Sequence, residues 1–212
     1  MLQAHVFTVN PFQENSTVVY AETGECAIFD PGFSNEQERK ELLDFIDSKK
    51  LKPVMLINTH CHIDHVLGNR FVADKFGLGL QMHKDDLPLL KAVPQYAHLY
   101  GMDYDPSPEP ETFLAEGDEI ELAGEKLKVL HVPGHAPGHI MLVYEKGKWL
   151  IGGDVLFQGS IGRTDLPGGN HEQLLDNIRK KIFTLPDDYS VIPGHGPLTN
   201  VGIERKTNPF FS

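Results

Sequence analysis

Only two cysteines, Cys26 and Cys61, occur in the 212 residues, so no disulfide framework holds the chain and its fold must rest on a packed core. No apolar run comes near the roughly 20 residues that cross a bilayer. The opening Met1-Leu2-Gln3-Ala4-His5 lacks a basic stretch followed by a long apolar one. These absences lead to the expectation of a cytoplasmic protein with no membrane partner. Basic residues are also few: 19 Lys and Arg against 30 Asp and Glu leave a formal net charge of −11. That balance argues against nucleic acid as a partner. An anionic small molecule stays compatible, because bound cations create a local positive field. The expectation is one domain over residues 1–212, long enough for a substantial core, as a monomer or small homo-oligomer.

Histidine, by contrast, is plentiful, with 11 in the chain. Thr59-His60-Cys61-His62-Ile63-Asp64-His65 packs several metal-ligand types into one short stretch. The apolar run at 53–58 before it reads as a buried strand, and 66–76 after it as a helix ending at Gly77. The cluster therefore sits at the carboxyl end of a strand, where open α/β sheets present groups to ligands. Imidazole nitrogens with a carboxylate beside them suit borderline divalent ions.

The remaining pattern is strands, then helices, twice over. Strands are expected at 5–9, 17–22 and 26–29, with a turn at Thr23-Gly24 and another at Asp30-Pro31-Gly32. Ser34 with Gln37 suggests a capping box opening a helix to about Lys50. A strand at 78–83 precedes a helical or irregular stretch at 84–100, interrupted by Pro88 and Pro94, and the proline-rich 105–110 reads as a loop within the domain. In the second half, strands are expected at 120–122, 127–132, 140–144, 149–151 and 190–193, with a helix starting at Asn170. Two packed sheets with helices outside accommodate this order. Three segments share one design, a strand, then glycine or proline, then a ligand type: Pro133-Gly134-His135, Gly152-Gly153-Asp154 and Pro193-Gly194-His195.

His60-Cys61-His62-Ile63-Asp64-His65 resembles the H-x-H-x-D-H signature of the metallo-β-lactamase superfamily. With Asp30-Pro31-Gly32, Pro133 to His139, Gly152-Gly153-Asp154 and Gly194-His195-Gly196 in the family's order, the chain resembles its glyoxalase II-like branch. The resemblance implies an α+β fold, the four-layer αββα sandwich, with a dinuclear metal centre at one edge. It implies His60, His62 and His135 on one ion, Asp64, His65 and His195 on the other, and Asp154 bridging. The cofactors would be two divalent ions, zinc foremost, with iron or manganese also accepted by such ligands. The implied activity is hydrolysis of a small acyl-thioester such as S-lactoylglutathione by a metal-bridging hydroxide, with Asp64 also orienting that hydroxide. A thiolate, whose conjugate acid has a pKa near 8.5, leaves without strong general-acid help.

Cys61 falls between two of these histidines and is expected to pack away from them. Asp30 is open to two readings, an acceptor for a ligand imidazole or a turn cap. His139 is expected to be structural, and His5, His83, His98, His131 and His171 to have surface or hydrogen-bonding roles. In Gly162-Arg163-Thr164-Asp165 the chain departs from classical glyoxalase II, which has a lysine-plus-aromatic element there; Arg163 is either an anion clamp for substrate or a structural partner of Asp165. The 17 residues after His195 are expected not to supply the classical enzyme's C-terminal helical region, so the resemblance implied is to shorter bacterial glyoxalase II-like hydrolases, and Phe210 and Phe211 are expected to seal the sandwich. The same Gly-Arg-Thr-Asp element resembles mononuclear iron persulfide dioxygenases of the superfamily. That activity, and a non-catalytic metal-binding module, stand as alternatives.

Overall fold

Successive side chains of a strand point to opposite faces, and in this chain both faces are apolar. Val18 and Val19, Ile28 and Phe29, Leu56 and Ile57 each send one neighbour to one core and one to another. Met141 and Leu142, Leu150 and Ile151, Val191 and Ile192 do the same in the second half. Sheets with two buried faces need a covering layer on each side.

The computed structural model describes residues 1–211. Its strands β1 (Leu2–Val9), β2 (Glu14–Ala21), β3 (Glu25–Phe29), β4 (Lys52–Ile57), β5 (Leu80–Met82) and β6 (Pro110–Phe113) form a six-stranded sheet in chain order. Pairing is antiparallel from β1 to β3 and parallel from β3 to β6. Downstream come β7 (Glu119–Leu122), β8 (Glu125–His131), β9 (Ile140–Tyr144) and β10 (Trp149–Gly153), then the small hairpin β11 (Leu156–Phe157) and β12 (Ser160–Ile161), then β13 (Ser190–Pro193) and β14 (Thr199–Asn200). Apart from the hairpin these make a second six-stranded sheet ordered β14-β13-β10-β9-β8-β7, with only the β10–β13 pair parallel.

The helices are α1 (Glu36–Lys49), α2 (Ile63–Val66), α3 (Asn69–Phe76), α4 (Leu87–Tyr96), α5 (His171–Asn177) and α6 (Val201–Thr207). Leu42 and Ile46 of α1, Val72 of α3 and Leu90 and Val93 of α4 pack on the outer face of the first sheet. Leu174 of α5 and Val201 of α6, with Ile178 and Ile182 of the π-helical turn after α5, cover the outer face of the second. Between the sheets lie Phe29, Ile57, Leu142 and Tyr144. Three cores separate four layers, the αββα sandwich expected from the sequence. No helix among the described residues is long and apolar enough to cross a membrane.

Several boundaries differ from the sequence reading. The cap of α1 is Asn35, whose side chain accepts from Glu38 N at 3.0 Å, while the Glu38 carboxylate reaches back to Ser34 N at 2.6 Å. The reciprocal cap thus sits one residue later than Ser34 and Gln37 suggest. The helix expected over 66–76 is two, because after α2 the chain turns at Gly68, whose N–H donates to Pro31 O at 2.6 Å. That bond holds the histidine loop against Asp30-Pro31-Gly32. Pro110 opens β6 at the end of the stretch read as a loop, and it fits there because a sheet-edge strand tolerates a missing N–H. The β11–β12 hairpin and α6 have no counterpart in the sequence reading. Phe211 packs edge-on to Phe183 with ring centroids 4.7 Å apart, whereas Phe210 stays exposed, so only one of the two aromatics seals the sandwich.

Leu142, fully buried between the sheets, tests the layering. Leu142→Ala is expected to lower unfolding free energy by about 2–5 kcal/mol, measured by urea titration. A loss below about 0.5 kcal/mol, the range of ordinary surface changes, would contradict a continuous inter-sheet core.

Candidate metal centre

Every segment that the sequence singles out emerges from the carboxyl end of a strand at the same edge of the sandwich. His60 and His62 follow β4, and Asp64 and His65 lie on the single turn of α2. His135 follows β8, Asp154 follows β10 and His195 follows β13. The first sheet thus supplies four of these side chains and the second sheet three.

The first group is His60, His62 and His135, one nitrogen of each lying within 4.8 Å of the others. His135 Nε2 is 2.8 Å from His62 Nδ1 and 3.2 Å from His60 Nε2. Hydrogen positions follow from the outer contacts. Arg163 O, a carbonyl that can only accept, lies 2.7 Å from His135 Nδ1, so that nitrogen carries the hydrogen and Nε2 keeps its lone pair. Thr59 gives its one hydroxyl hydrogen to Asp30 Oδ2 at 2.5 Å, so its oxygen accepts from His60 Nδ1 at 3.1 Å. His60 Nε2 therefore also presents a lone pair, straight at that of His135.

The second group, Asp64, His65 and His195, is equally close. Phe12 O accepts from His195 Nδ1 at 3.1 Å, and His195 Nε2 stands 3.1 Å from Asp64 Oδ2, whose charge, with that of Asp154, raises the imidazole against its burial. Asp154 lies between the groups. Its Oδ2 is 3.6 Å from His135 Nε2 and 3.5 Å from His195 Nε2, and its Oδ1 is 3.5 Å from His65 Nε2.

Burial and mutual repulsion keep the first group neutral. The pKa of His60 lies well below its usual value through burial and then the neighbouring His65, and that of His62 falls to about 3 through burial and His135. His135 is lowered by burial, which Asp154 opposes. In the second group burial opposes the charges, yet Asp64 and Asp154 raise His65 well above the imidazole range, and His65 in turn draws both carboxyls below theirs. The neutral imidazoles of the first group and the ionised carboxylates of the second are donors in the state a cation requires, while His65 and His195, both raised, would give up a proton to it.

The side chains themselves test the fit to metal. His62 Nε2, both ring nitrogens of His65 and Asp154 Oδ1 are buried without a hydrogen-bond partner, which is costly in a native interior unless another group fills the gap. The facing acceptors His60 Nε2 and His135 Nε2 need a positive centre between them. The donor set of imidazoles and carboxylates fits borderline divalent ions.

Surrounding groups hold this arrangement, and sequence reading missed several. Asp86 accepts from Cys61 N at 2.8 Å through Oδ2 and from Gly138 N at 2.5 Å through Oδ1, tying the histidine loop to the Pro133–His139 loop. Asn15 donates to Pro193 O at 3.0 Å and Gly196 O at 2.8 Å, clamping the His195 turn to β2. Glu14 is a fully buried carboxyl with Oε1 3.7 Å from His65 Nδ1. The Asp30 carboxylate accepts from Thr59 N at 2.6 Å and stands 3.2 Å from His65 Nδ1, beside an imidazole as one of its two readings expects, whereas in its own turn Gly32 N donates to Ser16 Oγ at 2.8 Å. His139 Nε2 accepts from Asp154 N at 2.9 Å and so positions the residue whose carboxylate lies between the two groups. Cys61 is buried with Sγ 3.7 Å from Met82 Sδ, and burial pushes its thiol well up. The glycines are spatial requirements: a Cβ at Gly194 would come 2.2 Å from Asp154 Oδ1, and at Gly153, where φ is +47°, 2.5 Å from His139 Nε2.

Arg163 contributes twice. Its carbonyl orients His135, and its guanidinium pairs with Asp165 through Nε and Nη2, both at 2.8 Å, on the exposed rim. The pair leaves Nη1 outside it.

Comparison with known proteins agrees with this geometry. The family model of the metallo-beta-lactamase superfamily matches residues 9–195. The chain is 36% identical over 213 residues to hydroxyacylglutathione hydrolase GloC of Haemophilus influenzae, covering 100% of this chain and 99% of the relative. Among solved structures it is similar to the BLEG-1 B3 metallo-beta-lactamase, with a TM-score of 0.90, 34% identity and coverage of 99% and 100%. It is also similar to TTHA1623 in a di-iron-bound form, with a TM-score of 0.86, 36% identity and coverage of 97% and 99%.

The Asp86 fork predicts a pH dependence. Burial raises the Asp86 carboxyl to about 6, which its two backbone N–H donors only partly offset. The folded state therefore takes up a proton before the unfolded state does, and the cost of the buried charge, present above pH 6, is relieved as pH falls toward 4. Relative to Asp86→Asn, the wild type should gain about 1 kcal/mol of stability between pH 7 and pH 5, measured by denaturant titration at each pH. A difference that shrinks or stays flat would contradict it.

Proposed function

Because the chain belongs to the metallo-beta-lactamase superfamily, we propose that it is a dinuclear metal-dependent hydrolase of small acyl-thioesters such as S-lactoylglutathione. The observation that carries this reading is Asp154, whose carboxylate stands within 3.6 Å of a nitrogen from each of the two donor groups. A relative named hydroxyacylglutathione hydrolase, matched from end to end, supports the substrate class.

In this reading His60, His62 and His135 hold one divalent ion, Asp64, His65 and His195 the other, and Asp154 both. Zinc is the first expectation, and a relative solved in a di-iron form makes iron the second. Bound there, the ions supply a water acidified to a pKa of about 7 and a Lewis acid for the substrate carbonyl.

The chain's own residues do the rest. The carbonyls of Arg163 and Phe12 and the Thr59 hydroxyl hold three imidazoles in the tautomer that points a lone pair inward. Asp64, fixed by His195 and with its pKa lowered, stays ionised and accepts a hydrogen bond from the attacking water, which sets its approach to the carbonyl carbon. The leaving thiolate needs no proton from the protein. Arg163, exposed on the rim with Nη1 outside its pair with Asp165, offers a cation to a carboxylate of the thiol carrier.

The likeness to a B3 metallo-beta-lactamase makes β-lactams the second substrate class for assay. Metal-replete wild type is expected to release thiol from S-lactoylglutathione, and Asp64→Asn to lower kcat about 100-fold through misplacement of the water. Arg163→Ala is expected to raise KM for the glutathione thioester with little change in kcat, the mark of lost ground-state binding. Absence of thioester turnover together with hydrolysis of a β-lactam, or with oxygen uptake on glutathione persulfide, would overturn the thioesterase reading.

A further inference from the structure

The two donor groups have chemically different surroundings. Beside the first stands Arg163, with its carbonyl on His135 and its guanidinium exposed. Beside the second the neighbours are aromatic. Phe12, in the loop between β1 and β2, gives its carbonyl to His195, and Phe157 of β11 meets the His195 ring edge-on with centroids 6.2 Å apart. Phe12 packs edge-on to Tyr100, the last residue of the 3-10 turn after α4, at 5.7 Å, and Tyr100 packs edge-on to Tyr96 at 6.1 Å. Burial pushes the Tyr96 phenol up to about 12, and Tyr100 and then the Asp64 carboxylate add to the rise, so this aromatic row lies within electrostatic reach of the second group. Tyr100 is 51% exposed, and Leu198, in the turn after His195, is 57% exposed. Open apolar surface beside a few converging polar groups is the usual make-up of a small-molecule site.

Both aromatic walls are fixed. Asn10, with φ at +51°, donates from its side-chain amide to Asp64 O and Gly32 O, both at 3.0 Å, and accepts from Phe12 N at 3.0 Å. One buried side chain thus sets Phe12 relative to Asp64. Across the opening, Glu204 accepts from Gly159 N at 2.9 Å and Asn208 donates to Ser160 O at 3.0 Å, which pins the turn of the hairpin that bears Phe157 to α6 and its cap. Walls held in this way lose little freedom when a ligand binds between them. Arg163 faces the same opening: Asp165 is the main cause of its raised pKa, and the Tyr100 hydroxyl contributes.

A thioester carbonyl carries its sulfur on one side and its acyl substituent on the other. With the thiol carrier drawn to Arg163 beside His135, the substituent points across to His195. We propose that Phe12, Tyr100 and Phe157 form an acyl subsite over the second donor group, one that favours thioesters with an apolar substituent of aromatic size over the small lactoyl group. Uncharged rings set edge-on to one another favour a further ring between them. The direction of the substrate rests on the thioesterase reading, through Arg163, while the aromatic walls follow from the packing alone.

The test uses metal-replete protein and two pairs of probes, each pair differing by a phenyl in place of a methyl. One pair is mandelate and lactate, which bind without turnover; the other is S-mandeloylglutathione and S-lactoylglutathione. By isothermal titration calorimetry the wild type should bind mandelate about 10-fold more tightly than lactate, and kcat/KM should favour the mandeloyl thioester by about as much. Tyr100→Ala and Phe157→Ala should each erase most of both preferences, whereas Tyr100→Phe, which keeps the ring, should retain them. Equal affinity for mandelate and lactate in the wild type, or an unchanged preference in both alanine variants, would overturn the subsite. A preference for mandelate with no thiol released from either thioester would leave the aromatic subsite standing and overturn the thioesterase reading instead.

Discussion

Two imidazole lone pairs aimed at each other repel, and the fold holds His60 Nε2 and His135 Nε2 in that arrangement at 3.2 Å. The contact comes from different sheets and is enforced from behind, by the Thr59 hydroxyl on one ring and the Arg163 carbonyl on the other. In the second group Phe12 O likewise stands behind an imidazole, that of His195, whose Nε2 meets Asp64 Oδ2 at 3.1 Å. A cation between His60 Nε2 and His135 Nε2 would turn their repulsion into attraction to a shared centre. Much of the architecture at this edge of the sandwich serves to hold that geometry.

The seam between the sheets explains why so many connections cross it. Neither of the two groups described above lies within one sheet: His135 must reach His60 and His62, and His195 must reach Asp64 and His65. The inter-sheet core brings the strand ends together to within side-chain reach. Asp86, Asn15 and His139 then set the final positions through bonds to backbone N–H and C=O groups. Glycine at 194 leaves room for the Asp154 carboxylate, which no larger residue would allow. Packing supplies the approximate placement and buried hydrogen bonds the rest.

The layers were readable because alternating apolar residues such as Val18 and Val19, or Met141 and Leu142, mark strands buried on both faces. The donor residues were readable because histidine and aspartate after glycine or proline at strand ends are unusual, and because their order resembles a known family. What stayed hidden works through the backbone. Nothing in the letters identifies the Arg163 carbonyl as the group that orients His135, or Asp86 as the fork between two loops. Asp30 was visible only as two alternatives, since a turn cap and an imidazole neighbour look alike in sequence, and its bond to Thr59 N joins strand ends that are 29 residues apart. The stacking of His83 on His131 was invisible for a different reason: it depends on which strand ends become neighbours across the sandwich.

The central claim is that Asp154 serves both donor groups at once. Its most direct measurement is the resident metal content of desalted wild type and Asp154→Asn protein, by elemental analysis of folded samples. The account predicts two ions per wild-type chain and a loss from both groups in the variant, because each loses the same charged oxygen donor. Full retention of two ions by Asp154→Asn, or a wild type that never holds more than one, would contradict it.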